Sequence, residues 1–297
     1  MGPWGGSWWG PTTTTRRRRR PTRSAWAGFW IDRHPVTNAA LARLVHNTGH
    51  VTVADQAPTR PTTPGPGRSC WSGVDGVSHP GGGRSTWVAL PGVDRGAGAD
   101  WRHPQGPASS INKRPDHPVV QVDGAAVAAE AGGAGKQRPG EARGSWRPGV
   151  GWRGHLRRGE VAPSRGRGMA TTWQGEFPNQ NLEPDGYGGT SPVGRFPANG
   201  DGLLDLIGNV GAWTGDWSQA HGELSPCLLH RRQPRRWERG AQPRSPRPGG
   251  HPRRVMKGGS HLCAPHYCRR SRPAARLAQP VDTATSHLGF RCILRGH

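Results

Sequence analysis

Patterned sequence in this chain comes only in short blocks, and that limits its fold more than any other feature. Phe29-Trp30-Ile31 through Asn38 reads as a short strand and turn. Asn38 to Thr48 reads as one helix: Asn38 can cap its start, Leu41, Leu44 and Val45 share a face, and Gly49 ends it. Trp101 to Pro104 and Pro115 to Val122 resume the pattern, the second ending in a predicted strand, and Ala125 to Ala131 is helical by propensity. From Met169 to Trp217 and from Val255 to Leu294 the chain offers turn signals and short apolar runs. Such spacing suits neither a long helical bundle nor a wide regular sheet. It predicts an α+β fold with little regular secondary structure, held by loops and turns, for which bound cations are one source of local support.

The blocks between are rich in Gly, Pro and Arg. A low-complexity basic segment, residues 1–25, is expected to be disordered, and one domain is expected over 26–297 with irregular inserts near 56–99, 137–168 and 221–254. The 47 glycines and 30 prolines make up about a quarter of the 297 residues, and only 32% are hydrophobic. Composition alone therefore favours a poorly folded basic polypeptide, because ordering such a chain costs entropy that little apolar burial offsets.

The net charge of +22 invites a polyanion as partner. It is concentrated in Arg16 to Arg20 and in His230 to Arg254, without a recognition helix, zinc-finger spacing or interleaved aromatic residues. That pattern argues against specific nucleic-acid binding and favours nonspecific contact. Five scattered cysteines, Cys70, Cys227, Cys263, Cys268 and Cys292, do not read as a secreted disulfide framework. Met1 to Thr15 has no apolar core of a signal peptide, and no stretch reaches the length of a membrane span. A cytoplasmic protein with no membrane partner is the expectation.

Gly258-Gly259-Ser260-His261-Leu262-Cys263-Ala264-Pro265-His266-Tyr267-Cys268 carries the most chemistry. On spacing alone, Cys263 and Cys268 could be half a zinc site, a disulfide, two unrelated thiols or a Cu(I) pair. A structural or redox role stands ahead of copper on that ground. Ser260 reads equally as a turn former.

Taken with Arg272-Pro273-Ala274-Ala275-Arg276 and Ser286-His287-Leu288-Gly289-Phe290-Arg291-Cys292, this run resembles the active-site region of the formylglycine-generating enzymes, or sulfatase-modifying factors. Thr172-Trp173-Gln174-Gly175-Glu176-Phe177, Asp185-Gly186-Tyr187 and Asn199-Gly200-Asp201-Gly202-Leu203-Leu204-Asp205-Leu206-Ile207-Gly208-Asn209-Val210 are similar to further family segments, in the family's order. The resemblance implies a fold related to C-type-lectin-like domains and an oxidase that converts a cysteine of a client sulfatase, within Cys-x-Pro-x-Arg, to formylglycine. It implies Cu(I) on Cys263 and Cys268, with the client sulfur as third ligand, O2 as oxidant, and Ser260 as a polar residue beside the thiols. Abstraction of a client Cβ hydrogen and hydrolysis of a thioaldehyde would follow. It also implies Ca2+ held by Asp205 with the carbonyls of Leu206, Gly208 and Val210, and a second, weaker Ca2+ site at Asp185, Tyr187, Thr171 and Thr172. No catalytic role attaches to Arg276, His287 or Arg291. The related sulfoxide-synthase branch would need a His-rich iron triad that the sequence does not offer.

The chain departs from the family pattern in two ways. Gly133, Gly144 and Gly211 stand where the family has Trp, and Ala212 where it has Glu; each lost aromatic is expected to leave a core cavity costing roughly 3–5 kcal/mol. In addition, Gly10 to Arg19 and Cys227 to Pro234 can be re-read in a neighbouring frame as family-like sequence, which points to frame-shifted segments of a GC-rich gene. Coding DNA with an intact frame would end that reading. Two rivals to the enzyme therefore stand: a catalytically inactive domain of the same fold used for binding, and a corrupted basic chain with no function.

Overall fold

The fold is described from a computed structural model for residues 7–9, 29–55, 99–124, 127, 132, 135–137, 139, 170–177, 179–199, 201–218, 252–264, 268, 270–271 and 275–295. The expected basic segment apart from 7–9, most of the three inserts, both re-read segments, Gly133 and Gly144 lie outside the described residues.

Among the described residues, two small sheets and one α-helix carry most of the regular structure. Strand β1 (Ser7–Trp9) pairs antiparallel with β2 (Phe29–Ile31), which pairs antiparallel with β7 (Ile293–Arg295), aligning Ile31 with Ile293. The second sheet has the order β5 (Leu277–Pro280), β4 (Arg253–Lys257), β3 (Gly211–Trp217), β6 (Leu288–Gly289). Its β3–β6 pair is parallel and the others antiparallel. This is an α+β fold with little regular structure, as the sequence predicts. Among the described residues no helix is long and apolar enough to cross a membrane.

Burial alternates along β2, whose three residues are all apolar. Phe29 and Ile31 face a core of Leu203, Leu206, Ala212 and Ile293, while Trp30 is half-buried. A second core gathers Leu41, Trp101, Val119, Val122, Val127, Trp213, Met256, Leu288, Phe290 and Cys292. Helix α1 (Asn38–Thr48) docks there through Leu41, flanked by Leu44 and Val45. Gly49, at φ 66°, returns its N–H to the Val45 carbonyl and closes the helix.

Two local expectations are corrected. The N-cap is Thr37, whose Oγ1 accepts from the Ala40 N–H, while the Asn38 amide donates to the Arg114 carbonyl at 2.8 Å. The strand expected to end at Val122 is instead one bridge, Thr37 to Pro118. Val119 N–H bonds Val36 and Gln121 N–H bonds Thr285, and Gln121 adopts φ 59°, so the segment changes partners before a ladder can form. Val127 is helical, in keeping with the propensity of Ala125 to Ala131, and so is Gly132 just beyond that span.

At Gly211, where the family has Trp, apolar side chains pack directly against the backbone. A Cβ built there would meet Met256 Sδ at 2.7 Å and Leu288 Cδ2 at 3.3 Å. Methionine adapts to such places because it is long and unbranched.

Candidate functional site

The turn that follows β4 opens with two residues that only glycine adopts readily, Gly258 at φ 93° and Gly259 at φ 72°. A side chain at Gly259 would press on Ser271 N and Cys263 Sγ, at 3.1 and 3.3 Å. The Ser260 carbonyl accepts from Cys263 N–H and the Ala264 carbonyl from Cys268 N–H. These bonds fold the sequence back on itself and bring Cys263 Sγ to 2.7 Å from Cys268 Sγ, both cysteines being free. Cys263 is buried and Cys268 half-buried.

Electrostatics make the two sulfurs unequal. The hydrogen bond between them, then burial, pushes the Cys263 thiol up. Cys268 is pulled down by the same bond, by the Arg270 N–H and by the Arg270 charge, against its own burial. Of the two, Cys268 is thus the one on which negative charge is favoured. Ser260 is buried and its Oγ accepts from Leu262 N–H at 3.3 Å, a turn-forming contact that leaves the hydroxyl hydrogen to donate. Among the described residues no group of three or more His, Cys, Asp or Glu is placed to share a metal ion. Among the described residues the donor set here is two sulfurs, a pair that suits a soft ion.

The loop from Asp205 to Val210 lies against this turn, with Gly208 N–H donating to the Gly258 carbonyl. Asp205, Gly208 and Asn209 all have positive φ, which curls the loop tightly. Gly208 is obligatory, since a Cβ would fall on the Thr171 carbonyl. Asp205 Oδ2 accepts from Gly194 N–H at 2.7 Å, yet burial still pushes the carboxyl pKa up, outweighing that bond and the Arg291 charge. A cation would offset what those partners do not.

At the second predicted calcium site, Asp185 Oδ1 accepts from Tyr187 N–H, while Oδ2 is buried with no hydrogen-bond partner. An orphaned carboxylate oxygen fits a hard cation. The bond from Leu182 N–H to the Gln174 carbonyl closes the loop between Thr172 and Asp185. Thr171 is committed elsewhere, through Oγ1 to Ser191 Oγ at 2.6 Å and through its carbonyl to Asn209 N–H. Leu206, Val210 and Thr172 are buried, consistent with a backbone contribution only.

Sequence reasoning gave no role to two residues that the fold makes central. Arg291 is fully buried and donates to the carbonyls of Asp32, Arg33, Leu204 and Asp205, tying the cation loop to the end of β2; burial lowers its pKa to about 10. An arginine between Phe290 and Cys292 in an apolar run was the available signal. His287 is buried with Nδ1 unpartnered, and burial, then His261 and Arg270, push its pKa down to about 3.

A family profile described as "Sulfatase-modifying factor enzyme 1-like domain" matches residues 5–295. A formylglycine-generating enzyme of Mycobacterium tuberculosis is 42% identical over 274 residues, covering 89% of this chain and 87% of its own length. A Mus musculus protein named inactive C-alpha-formylglycine-generating enzyme 2 is 32% identical over 203 residues, covering 65% of this chain and 54% of its own. Among solved structures, PvdO from Pseudomonas aeruginosa superimposes with a TM-score of 0.53 at 20% identity, covering 98% of this chain and 92% of its own; that likeness is one of fold.

Proposed function

The chain belongs to the sulfatase-modifying factor enzyme 1-like family, and from that premise we propose that it oxidises a cysteine of a client sulfatase to Cα-formylglycine, with Cu(I) on Cys263 and Cys268 and O2 as oxidant. The observation that carries this reading is a pair of free sulfurs 2.7 Å apart in a glycine-fixed turn. Cu(I) bound there would supply the oxygen chemistry that no protein side chain performs.

The chain's own residues do the rest. Gly259 admits the close approach of Cys263 Sγ to the turn. The bond from Cys263, with the Arg270 N–H and guanidinium, favours negative charge on Cys268, and a soft ion binding both sulfurs would displace the proton held on Cys263. Burial of Cys263 keeps water from one sulfur, and the greater exposure of Cys268 leaves the side from which an extended Cys-x-Pro-x-Arg peptide arrives. Ser260 has a hydroxyl hydrogen free to donate beside the thiols. Ca2+ on Asp205 with the Leu206, Gly208 and Val210 carbonyls, and on Asp185 with Tyr187 and Thr172 but without Thr171, whose hydroxyl and carbonyl already have partners, would brace the loops around the turn. The working location is cytoplasmic, with sulfatase polypeptides as partners.

The test loads purified chain with Cu(I), supplies a Cys-x-Pro-x-Arg peptide and captures aldehyde with a hydrazide. Turnover is expected in the wild type and none in Cys268→Ser. Undiminished turnover in that variant excludes the copper mechanism.

A second reading is favoured by Gly211 and Ala212, which replace the family's Trp and Glu, and by the relative named inactive. In it the domain has the same fold without catalysis and serves as a binding module. A chain that melts cooperatively and takes up Cu(I), yet yields no aldehyde, selects it.

A further inference from the structure

The turn that carries the sulfurs is anchored from outside itself. The Asn209 carbonyl accepts both the His261 backbone N–H at 2.9 Å and the His261 ring Nδ1 at 3.0 Å. A carbonyl can only accept, so Nδ1 carries the hydrogen and the ring orientation is fixed. His261 is 9% exposed.

Asn209 is itself held on every side. Its N–H donates to the Thr171 carbonyl at 2.7 Å, its Oδ1 accepts from Ser191 N–H at 3.1 Å, and its Nδ2 donates to the Ser191 carbonyl and Oγ at 3.1 and 3.2 Å. It adopts φ 54° and is fully buried. Two backbone bonds, Gly208 N–H to Gly258 and His261 N–H to Asn209, attach the turn to the loop. The ring bond converges with the His261 N–H on the same carbonyl oxygen, so the side chain and backbone of His261 are oriented together against the loop. Cys263 stands two residues beyond His261.

We propose that His261 is a positioning residue for copper capture: its ring bond to the Asn209 carbonyl transmits the order of the 205–210 loop to the turn bearing Ser260 and Cys263. Cation binding by the loop and Cu(I) binding by the sulfurs then reinforce one another, each by the same factor. The inference rests on the copper reading above and adds a residue and a coupling to it.

The experiment titrates purified full-length chain with Cu(I) against the chromophoric chelator bathocuproine disulfonate, in Ca2+ and again in EGTA. It compares wild type with His261→Phe, which keeps a ring but has no donor, and His261→Asn, whose amide N–H stands where Nδ1–H stood. EGTA should weaken wild-type affinity by about tenfold, and His261→Phe should lose about tenfold in Ca2+ with little further response to EGTA. His261→Asn should recover to within about threefold of wild type. Three results overturn the proposal: wild-type affinity indifferent to calcium, His261→Phe as tight as wild type, or His261→Asn as weak as His261→Phe. Should His261→Phe fail to melt cooperatively, the wild-type comparison with and without calcium decides alone. Wild type that binds no Cu(I) overturns the copper reading and this one with it; wild type that binds Cu(I) regardless of calcium overturns only this one.

Discussion

The region around α1, β2 and β7 and the region running from Thr171 to Cys268 are held by different forces. In the first, Leu41, Phe29, Ile31 and Ile293 are buried in apolar cores and the backbone follows ordinary helix and strand geometry. In the second, Asp205, Gly208, Asn209, Gly258 and Gly259 take left-handed conformations, and Asn209, Ser191 and Thr171 form a buried polar network. Burial of apolar surface stabilises without direction and tolerates small shifts. Left-handed backbone and buried carboxylates do neither, and they depend on partners being in place. Trp213, Met256 and Leu203 join the second region to the same apolar cores, but the loops that carry its chemistry cannot stand on packing alone.

Four measurements break or sharpen that contrast. The largest effect is expected at Gly208, where a Cβ would strike backbone that cannot swing aside. Gly208→Ala should lose about 4 kcal/mol of stability and its calcium response together; an unchanged melting temperature would dissolve the distinction. Leu41→Ala should cost about 3 kcal/mol from the apolar half. Its calcium-induced melting shift should stay intact, and a lost shift would mean the two regions act as one unit.

Calcium removal comes next. At free Ca2+ near a hundred times Kd, EGTA should remove about 2.7 kcal/mol. Asp185→Asn should shrink that decrement because the orphaned Oδ2 is the feature a cation satisfies; a decrement unchanged in this variant would remove the second calcium site.

The smallest effect is one of pH. His287 has a folded-state pKa near 3, below the ordinary 6.5, so the unfolded chain takes its proton first as pH falls. Stability from this group is complete above about 6.5 and declines below it, by at most about 1.4 kcal/mol per pH unit. Copper-free wild type should lose melting temperature between about pH 6.5 and 5 more steeply than His287→Gln. Parallel curves would place that loss on other groups, such as His117 and His261, whose pKa values burial also lowers.

Much of the fold was legible where pattern is local. The helix at Asn38 to Thr48 and the strand at Phe29 to Ile31 follow from spacing, and the sulfur pair from two cysteines five apart. The cap was misread by one residue because Thr37 and Asn38 are both competent, and only the Arg114 carbonyl decides between them. Val119 to Val122 has a strand's composition but not its backbone, because Gln121 turns the chain. Nothing in the sequence says that Met256 will fill the space beside Gly211.

Sequence by itself determined which atoms are available: two soft donors at short spacing, carboxylates in glycine-rich loops, and one amphipathic helix. Tertiary structure alone decided which of them meet. Asn209 and His261 are 52 positions apart, and Arg291 is 258 from Arg33, so no period or motif could join them. Periodicity records how a segment meets a face. Left-handed loops have no period, and their hydrogen-bond partners are fixed only when distant stretches of chain close around them.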